Sequence, residues 1–267
     1  LLILMKADND GEEAIASETL RHLESIPARG RNAVVADKCK LIYHAGFGSA
    51  ETARRLADRL VERATRSIDI LARLRCLRYA CEAYNILGDL TRAHDVALRA
   101  LALADELGIW AHRYLCIEHL CTTALHQHDY DSALEWLQAL RRQDEQAAND
   151  LYYLMVLYFL ENRLAFELNE PSVLTRSDLR ARLLEALPTI QVLRPAQGIL
   201  AAVLAHSLLV EKEPAAPNLL ERLYDTQQKL QKWGRQDFPT TVLVATYRRA
   251  GLEHAARAVL QDYLKSR

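Results

Sequence analysis

The side chains best suited to chemistry in this chain are cysteines and histidines between positions 76 and 128. Thiolate sulfur and imidazole nitrogen are common zinc ligands, and an exposed thiolate can sense oxidants. The set comprises Cys76, Cys81, Cys116, Cys121, His112, His119, His126 and His128. The cysteines repeat at a fixed distance, because Cys76 and Cys116, like Cys81 and Cys121, are forty residues apart, and no C-x2-C pair occurs. We therefore expect thiols that pack between helices and solvated or capping imidazoles, with a zinc site and a redox sensor as the alternatives.

Motifs for enzymatic chemistry are absent from the sequence. No H-E-x-x-H, G-x-S-x-G or G-x-x-x-x-G-K-[ST] pattern occurs. The segment GFGS at Gly46–Ser49 has two glycines but no preceding strand pattern, and it falls where a turn between two helices is expected. The sequence thus predicts a chain that is not an enzyme and that has no cofactor and no metal ion.

A repeat of about forty residues organises the elements that carry these side chains. GDLTRAHDVALRAL at Gly88–Leu101 is echoed by HDYDSALEWLQAL at His128–Leu140. A period of this length is typical of helical hairpins that stack into a solenoid. One small residue just inside the second helix of each hairpin sets the register, and its positions are Ala14, Ala53, Ala93, Ala133, Val173, Ala215 and Ala255.

The apolar periodicity predicts an all-α fold with almost no strand signal. Helix start and stop signals give these helices: 12–26, 32–45, 49–66, 68–87, 91–107, 110–127, 130–143, 147–168, 177–187, 195–210, 217–233, and a last pair that opens at Pro239 and ends near Lys265. These make about 13 helices, and Leu1–Met5 reads as the end of a further one. We expect residues 1–267 to form one repeat domain of about six hairpins and a partial N-terminal unit, excised from a longer protein.

Composition narrows the classes of partner. Lys and Arg number 34 against 35 for Asp and Glu, so the chain has no overall basic charge for nucleic acid or an anionic membrane. The longest apolar runs, Leu151–Leu160 and Ile199–Val210, are shorter than the roughly 20 residues that span a bilayer. The expected setting is the cytoplasm, without direct contact with nucleic acid or membrane.

The repeat resembles the tetratricopeptide repeat. Its first-helix pattern is met by Leu77, Ala80, Cys81 and Tyr84, and its second-helix pattern by Ala93-x3-Ala97-x2-Ala100. The next unit matches through Ile117-x2-Leu120-Cys121-x2-Ala124 and Ala133-x3-Leu137, although the tryptophan is missing and the period is forty rather than 34. The resemblance implies a right-handed superhelix. Lengthened units of this kind are similar to the sensor arrays of LuxR-type bacterial transcription activators related to the maltose regulator.

The resemblance also implies where a partner binds. In tetratricopeptide arrays the first helices line the concave surface, and by repeat register this places on it Arg75, Arg78, Glu82, Asn85, Glu118, Thr122, His126, Tyr158 and Asn162. A protein, a peptide or a small effector is the expected ligand, and the two arginines suit a carboxylate or phosphate, or else pair with neighbouring acids. Replacing Arg78 and Asn85 by Ala is expected to weaken binding and to leave the fold intact.

The aromatic run LYYLMVLYFL at Leu151–Leu160 has two interpretations. An all-round apolar helix is normally buried, so core packing is the first. In the second, some of Tyr152, Tyr153 and Tyr158 line a ligand groove or a dimer face. Two other functions stay open beside effector binding: a structural scaffold that oligomerises, for example as a homodimer, and a phosphatase-like regulator.

Overall fold

The computed structural model describes residues 13–25, 31–46, 48–143, 151–168, 219–220 and 240–265. These residues are helical apart from short connections, and they include no strand. The helices are α1 (Glu13–Ser25), α2 (Arg31–Gly46), α3 (Ala50–Arg66), α4 (Ile70–Ile86), α5 (Leu90–Leu107), α6 (Trp110–His126), α7 (Tyr130–Arg141), α8 (Leu151–Leu168), α9 (Thr240–Arg249) and α10 (Glu253–Lys265). The prediction of an all-α chain is confirmed over this part of the sequence.

Capping side chains fix where the helices begin. Ser49 accepts a hydrogen bond from the Thr52 N–H at 3.3 Å, which starts α3. Asp69 accepts from the N–H groups of Leu71 and Ala72 at 3.0 and 3.1 Å, so α4 begins two residues later than the apolar pattern predicts. Side-chain acceptors satisfy amide groups that the first turn of a helix leaves unpaired.

The turns between paired helices repeat the same geometry. Gly88 has φ 71° after α4, His128 has φ 58° after α6, and Gly251 has φ 76° after α9. In each, the residue that follows donates its N–H to a carbonyl five positions back, as Asp89 does to Tyr84 at 2.9 Å. Counted from Gly251, the position that corresponds to Ala93 is Ala256, so the predicted register residue Ala255 is displaced by one.

The small residues of the register pack where paired helices approach closely. Ala53, Ala93 and Ala133 are fully buried just inside α3, α5 and α7. Burying an apolar surface of this kind contributes roughly 25 cal/mol per Å² removed from water. The predicted role of the repeated alanine is therefore confirmed at three successive units.

The chain divides into two compact units, one containing α1–α7 and the other α8–α10. Within the first, each helix packs on the next, and the first helices of successive pairs also touch, α2 with α4 and α4 with α6. Within the second, α9 and α10 pack as a hairpin. One domain across residues 1–267 stays a prediction.

Part of the predicted helical array lies outside the residues that the structure describes. The helices expected at 177–187 and 195–210 lie outside the described residues, and of the helix at 217–233 only Leu219 and Leu220 are described, both helical. The described helices include none with the length and apolar character to cross a membrane.

Candidate functional site

The cysteines are buried at equivalent places in successive units. Cys81 donates its S–H to the Ala93 carbonyl at 3.4 Å, and Cys121 donates to the Ala133 carbonyl at the same distance. Burial raises the pKa of the Cys81 thiol well above its ordinary value and raises that of Cys116 to about 12. Protonated, buried thiols are poor nucleophiles and poor metal ligands. The packing role predicted for these cysteines is what the geometry provides.

A metal site is not assembled from the side chains that the structure describes. No group of three or more His, Cys, Asp or Glu residues among them is placed to hold an ion. His112, His119 and His126 lie on α6 but not around a common point with the thiols. The zinc alternative therefore finds no support in the described part of the chain.

Asn85, one of the predicted partner-binding residues, is buried between two repeats. The Thr123 hydroxyl lies 2.8 Å from the Asn85 side-chain oxygen and 2.7 Å from the His119 carbonyl. The Asn85 amide group also donates to Cys81 Sγ at 3.7 Å. Asn85 thus holds α4 against α6 and is not presented to a ligand. The geometry instead leads us to expect that Asn85→Ala weakens the contact between α4 and α6, because the change removes the acceptor on α4 and leaves the Thr123 hydroxyl only the His119 carbonyl of its own helix.

Arg75 and Arg78 lie one turn apart in the middle of α4. Arg75 is exposed, and Arg78 is half-buried with its Nε enclosed and without a hydrogen-bond acceptor. Within the described ranges, no carboxylate lies within 4.0 Å of either guanidinium. The alternative in which these arginines pair with neighbouring acids is therefore not what this part of the structure shows.

Lys38 on α2 joins this positive region. Its ammonium lies 4.2 Å from the centroid of the Tyr79 ring, and the Arg78 guanidinium carbon lies 4.9 Å from the same centroid. Lys38 is only 8% exposed, and no carboxylate among the described residues pairs with it. Two cations thus share one aromatic ring. Sequence reasoning missed Lys38, although it precedes Arg78 by forty residues, one repeat period.

His112, at the start of α6, completes the region. Burial lowers the pKa of His112 below its ordinary value, and the nearby charges of Arg78 and Arg75 lower it further. Its Nδ1 is enclosed and has no hydrogen-bond partner among the described residues. We call Lys38, Arg75, Arg78 and His112 the basic cluster, which spans α2, α4 and α6.

The other predicted residues of α4 and α6 lie beyond the basic cluster along the helices. Glu118 is 3.1 Å from His119 Nδ1 through one carboxylate oxygen and accepts a bond from Thr122 at 3.4 Å through the other. Glu82, Thr122 and His126 are half-buried. The predicted stripe is thus cationic at one end and acidic at the other.

Tyr158 and Asn162 belong to α8 and therefore to the other compact unit. Both are buried, and the Asn162 amide donates to the Tyr158 carbonyl one turn back at 2.8 Å. Leu157, Leu160 and Leu164 are buried on the same helix. Core packing, the first interpretation of the aromatic run, is the one that these residues support. Tyr153 is half-buried, and the side chain of Tyr152 lies outside the described set.

A polar contact outside the predicted stripe connects three helices of the first unit. The Tyr84 hydroxyl donates to Asp58 on α3 at 2.5 Å, and Arg92 on α5 donates to the same carboxylate oxygen at 3.0 Å. The Arg92 guanidinium also lies 5.7 Å from the centre of the Tyr84 ring. These contacts tie one hairpin to the next and leave little of this cluster for a ligand.

Comparison with protein-family models, with curated proteins and with solved structures gives no match for this chain.

Proposed function

We propose that this chain is a non-catalytic binding module built as a tetratricopeptide-like solenoid, a right-handed superhelix of about 13 helices. In this arrangement the first helices of the pairs line one concave surface, and a protein, a peptide or a small effector binds there. The module would serve a bacterial signalling or transcription-regulatory protein, where binding biases the contacts between the array and other domains. All five cysteines are free and buried, which fits a reducing cytoplasm.

Recurring packing supports the solenoid. The bond from Cys81 to the Ala93 carbonyl recurs forty residues later between Cys121 and Ala133 with the same length. The same turn geometry closes α4 and α6. Elements that contact mainly their neighbours in sequence, through the same interface each time, are the defining property of a repeat array.

The observation that carries the binding function is the row of first helices. Helices α2, α4 and α6 touch in series, and together they carry polar side chains whose charges are unbalanced at one end. We call this surface, represented by Lys38, Arg78 and Thr122, the first-helix face. Charged groups left without partners on a surface formed by three repeats favour a ligand that contacts several repeats at once.

Peptides selected by display on the folded chain would test this proposal. Their affinities, measured by fluorescence anisotropy, are expected to fall about fivefold or more in Arg75→Ala and Thr122→Ala, since a few central residues dominate most interfaces. Arg99→Ala changes a half-exposed side chain of α5, Glu135→Ala changes an exposed one of α7, and both serve as controls on second helices. Loss of binding in the controls alone, or a selection that yields no binder, would refute the assignment.

Self-association is a second candidate function. Leu260 and Leu264 lie one turn apart on α10 and are 42% and 65% exposed. Apolar side chains placed in this way favour contact with another apolar surface. Sedimentation velocity over a hundredfold range of protein concentration would decide, because a scaffold sediments faster as concentration rises and Leu264→Ser would reverse the change. A concentration-independent sedimentation coefficient excludes the scaffold.

A further inference from the structure

The basic cluster concentrates positive charge without a compensating acid. Lys38 and Arg78 both contact the Tyr79 ring, and Arg75 lies one turn from Arg78. None of these three cations has a carboxylate within ion-pairing distance in the ranges that the structure describes. The nearest acid on α6, Glu118, is bonded to His119 and Thr122 instead.

Burial makes this arrangement unfavourable for the protein alone. Lys38 is only 8% exposed, and a charge that is partly withdrawn from water is stabilised by an opposite charge or by strong hydrogen bonds. Cation–π contact with Tyr79 compensates in part, but two cations that share one ring also repel each other. In addition, Arg78 Nε and His112 Nδ1 are enclosed without hydrogen-bond partners among the described residues. Buried polar atoms that lack partners are uncommon and call for an explanation.

We propose that the basic cluster is a binding site for a phosphate monoester, with Lys38 and Arg78 as its main charged contacts and His112 as a hydrogen-bonding contact. This inference rests on the proposed function in taking the first-helix face as the ligand-binding surface. A phosphate monoester brings close to two negative charges and three acceptor oxygens. It would therefore balance the positive charge of the cluster and accept hydrogen bonds from its unused donors.

A monoester fits better than a single carboxylate or a phosphodiester. A carboxylate offers one negative charge to three fixed cations, whereas a monoester offers nearly two. A nucleic-acid backbone needs a long basic track, and here Glu82 and Glu118 follow the cluster along α4 and α6. The same terminal phosphate can belong to a small metabolite or to a phosphorylated peptide, so the test includes both.

Thermal unfolding with phosphate compounds tests the site. At constant ionic strength, inorganic phosphate, glucose 6-phosphate and a phosphoserine peptide are compared with chloride and acetate, and their dissociation constants are measured by calorimetry. The wild-type midpoint is expected to rise with phosphate and with at least one of the two esters, because a ligand that binds the folded state stabilises it. The tighter ester identifies the source of the phosphate.

Two variants remove the charged contacts in different ways. Arg78→Gln and Lys38→Met are expected to weaken phosphate binding tenfold or more, whereas Arg99→Gln, on the second helix α5, should bind as the wild type does. Lys38→Met should also raise the midpoint measured without phosphate, because an apolar isostere keeps the packing of the stem and removes the repulsion between two cations on one ring. A merely structural role for Lys38 would give the opposite sign.

Several outcomes overturn the site. It is wrong if Arg78→Gln keeps the phosphate response, if acetate acts as strongly as phosphate, or if a short single-stranded DNA binds more tightly than either ester. If phosphate does not bind while the binding of selected peptides still depends on Arg75 and Thr122, only this inference is wrong. If phosphate binding depends on Arg78 but the peptides bind outside the first-helix face, the anion site is correct and the proposed function is wrong.

Discussion

Asn85 and Thr123 join two successive repeats inside the core, with the Thr123 hydroxyl 2.8 Å from the Asn85 side-chain oxygen. Both residues are buried, and the first belongs to α4 while the second belongs to α6. A hydrogen bond between neutral groups contributes about 1 kcal/mol, but a buried polar atom left without its partner costs about 1–3 kcal/mol. The pair therefore favours one alignment of the two first helices over others.

Removing only the Thr123 hydroxyl is expected to destabilise the fold. Thr123→Val keeps the side-chain shape but leaves the Asn85 oxygen without its donor, so the free energy of unfolding should fall by about 1–3 kcal/mol. Urea unfolding followed by circular dichroism measures the change. The double variant Asn85→Leu/Thr123→Val, in which both partners are apolar, should recover part of the loss. An unchanged urea midpoint for Thr123→Val would show that the bond contributes nothing.

The turn after α6 offers a substitution that should stabilise the protein. His128 adopts φ 58°, whereas Gly88 occupies the corresponding position after α4 with φ 71°. A residue with a side chain pays about 1–2 kcal/mol in this conformation. His128→Gly also loses the contact with the Tyr130 hydroxyl at 3.0 Å and increases the conformational entropy of the unfolded chain. We therefore expect the free energy of unfolding to rise by only about 0.5 kcal/mol.

The reciprocal substitution provides the control for this turn. Gly88→Ala meets no atom within 4 Å, so its cost comes from the backbone alone and should be about 1 kcal/mol. Both free energies come from urea unfolding. If the two changes have the same sign, strain in the turn does not govern its stability.

The native thiols should react slowly. All five cysteines are buried, and burial raises the pKa of Cys76, Cys81 and Cys116. With Ellman's reagent at pH 8 the folded protein should lose its thiols at the rate of local opening, while the same protein in urea reacts at once. Rapid reaction of two or more thiols in the folded protein would contradict the packing role and restore the redox alternative.

Alkaline pH should weaken the fold through Tyr84. Burial and the hydrogen bond to Asp58 raise the pKa of Tyr84 above its ordinary value of 10.0. The stability that depends on the protonated phenol is therefore fully present below about pH 10 and is lost as the pH rises toward the folded-state pKa. Between pH 9 and 11 the free energy of unfolding should fall more steeply in the wild type than in Tyr84→Phe. Parallel curves would show that Tyr84 does not titrate differently in the two states.

Periodicity was sufficient to predict the helices and the packing of the cysteines. The helices at 50–66, 70–86, 90–107 and 110–126 begin and end within two residues of their predicted bounds, because caps, apolar spacing and turn residues are all local signals. Cys81 and Cys121 were assigned to packing because they lie one period apart, and in the structure the two thiols make the same contact in successive units.

Contacts between helices could not be predicted from the spacing of residues along the sequence. Asn85 shares a helical stripe with Arg75 and Arg78, and nothing in α4 alone shows that Thr123 of another helix covers one end of that stripe. The position of Lys38 on the Tyr79 ring likewise depends on how α2 packs against α4. Such contacts decide which side chains of a stripe remain open to a ligand.

The bond from a cysteine to the carbonyl of the repeated alanine is the same in two successive units. The first helix therefore packs on the second helix through the same contact in both units. Tandem duplication or deletion of a forty-residue segment would keep this contact inside each unit. The gene could thus change the number of units, and with it the length of the first-helix face, while the packing inside each hairpin stays the same.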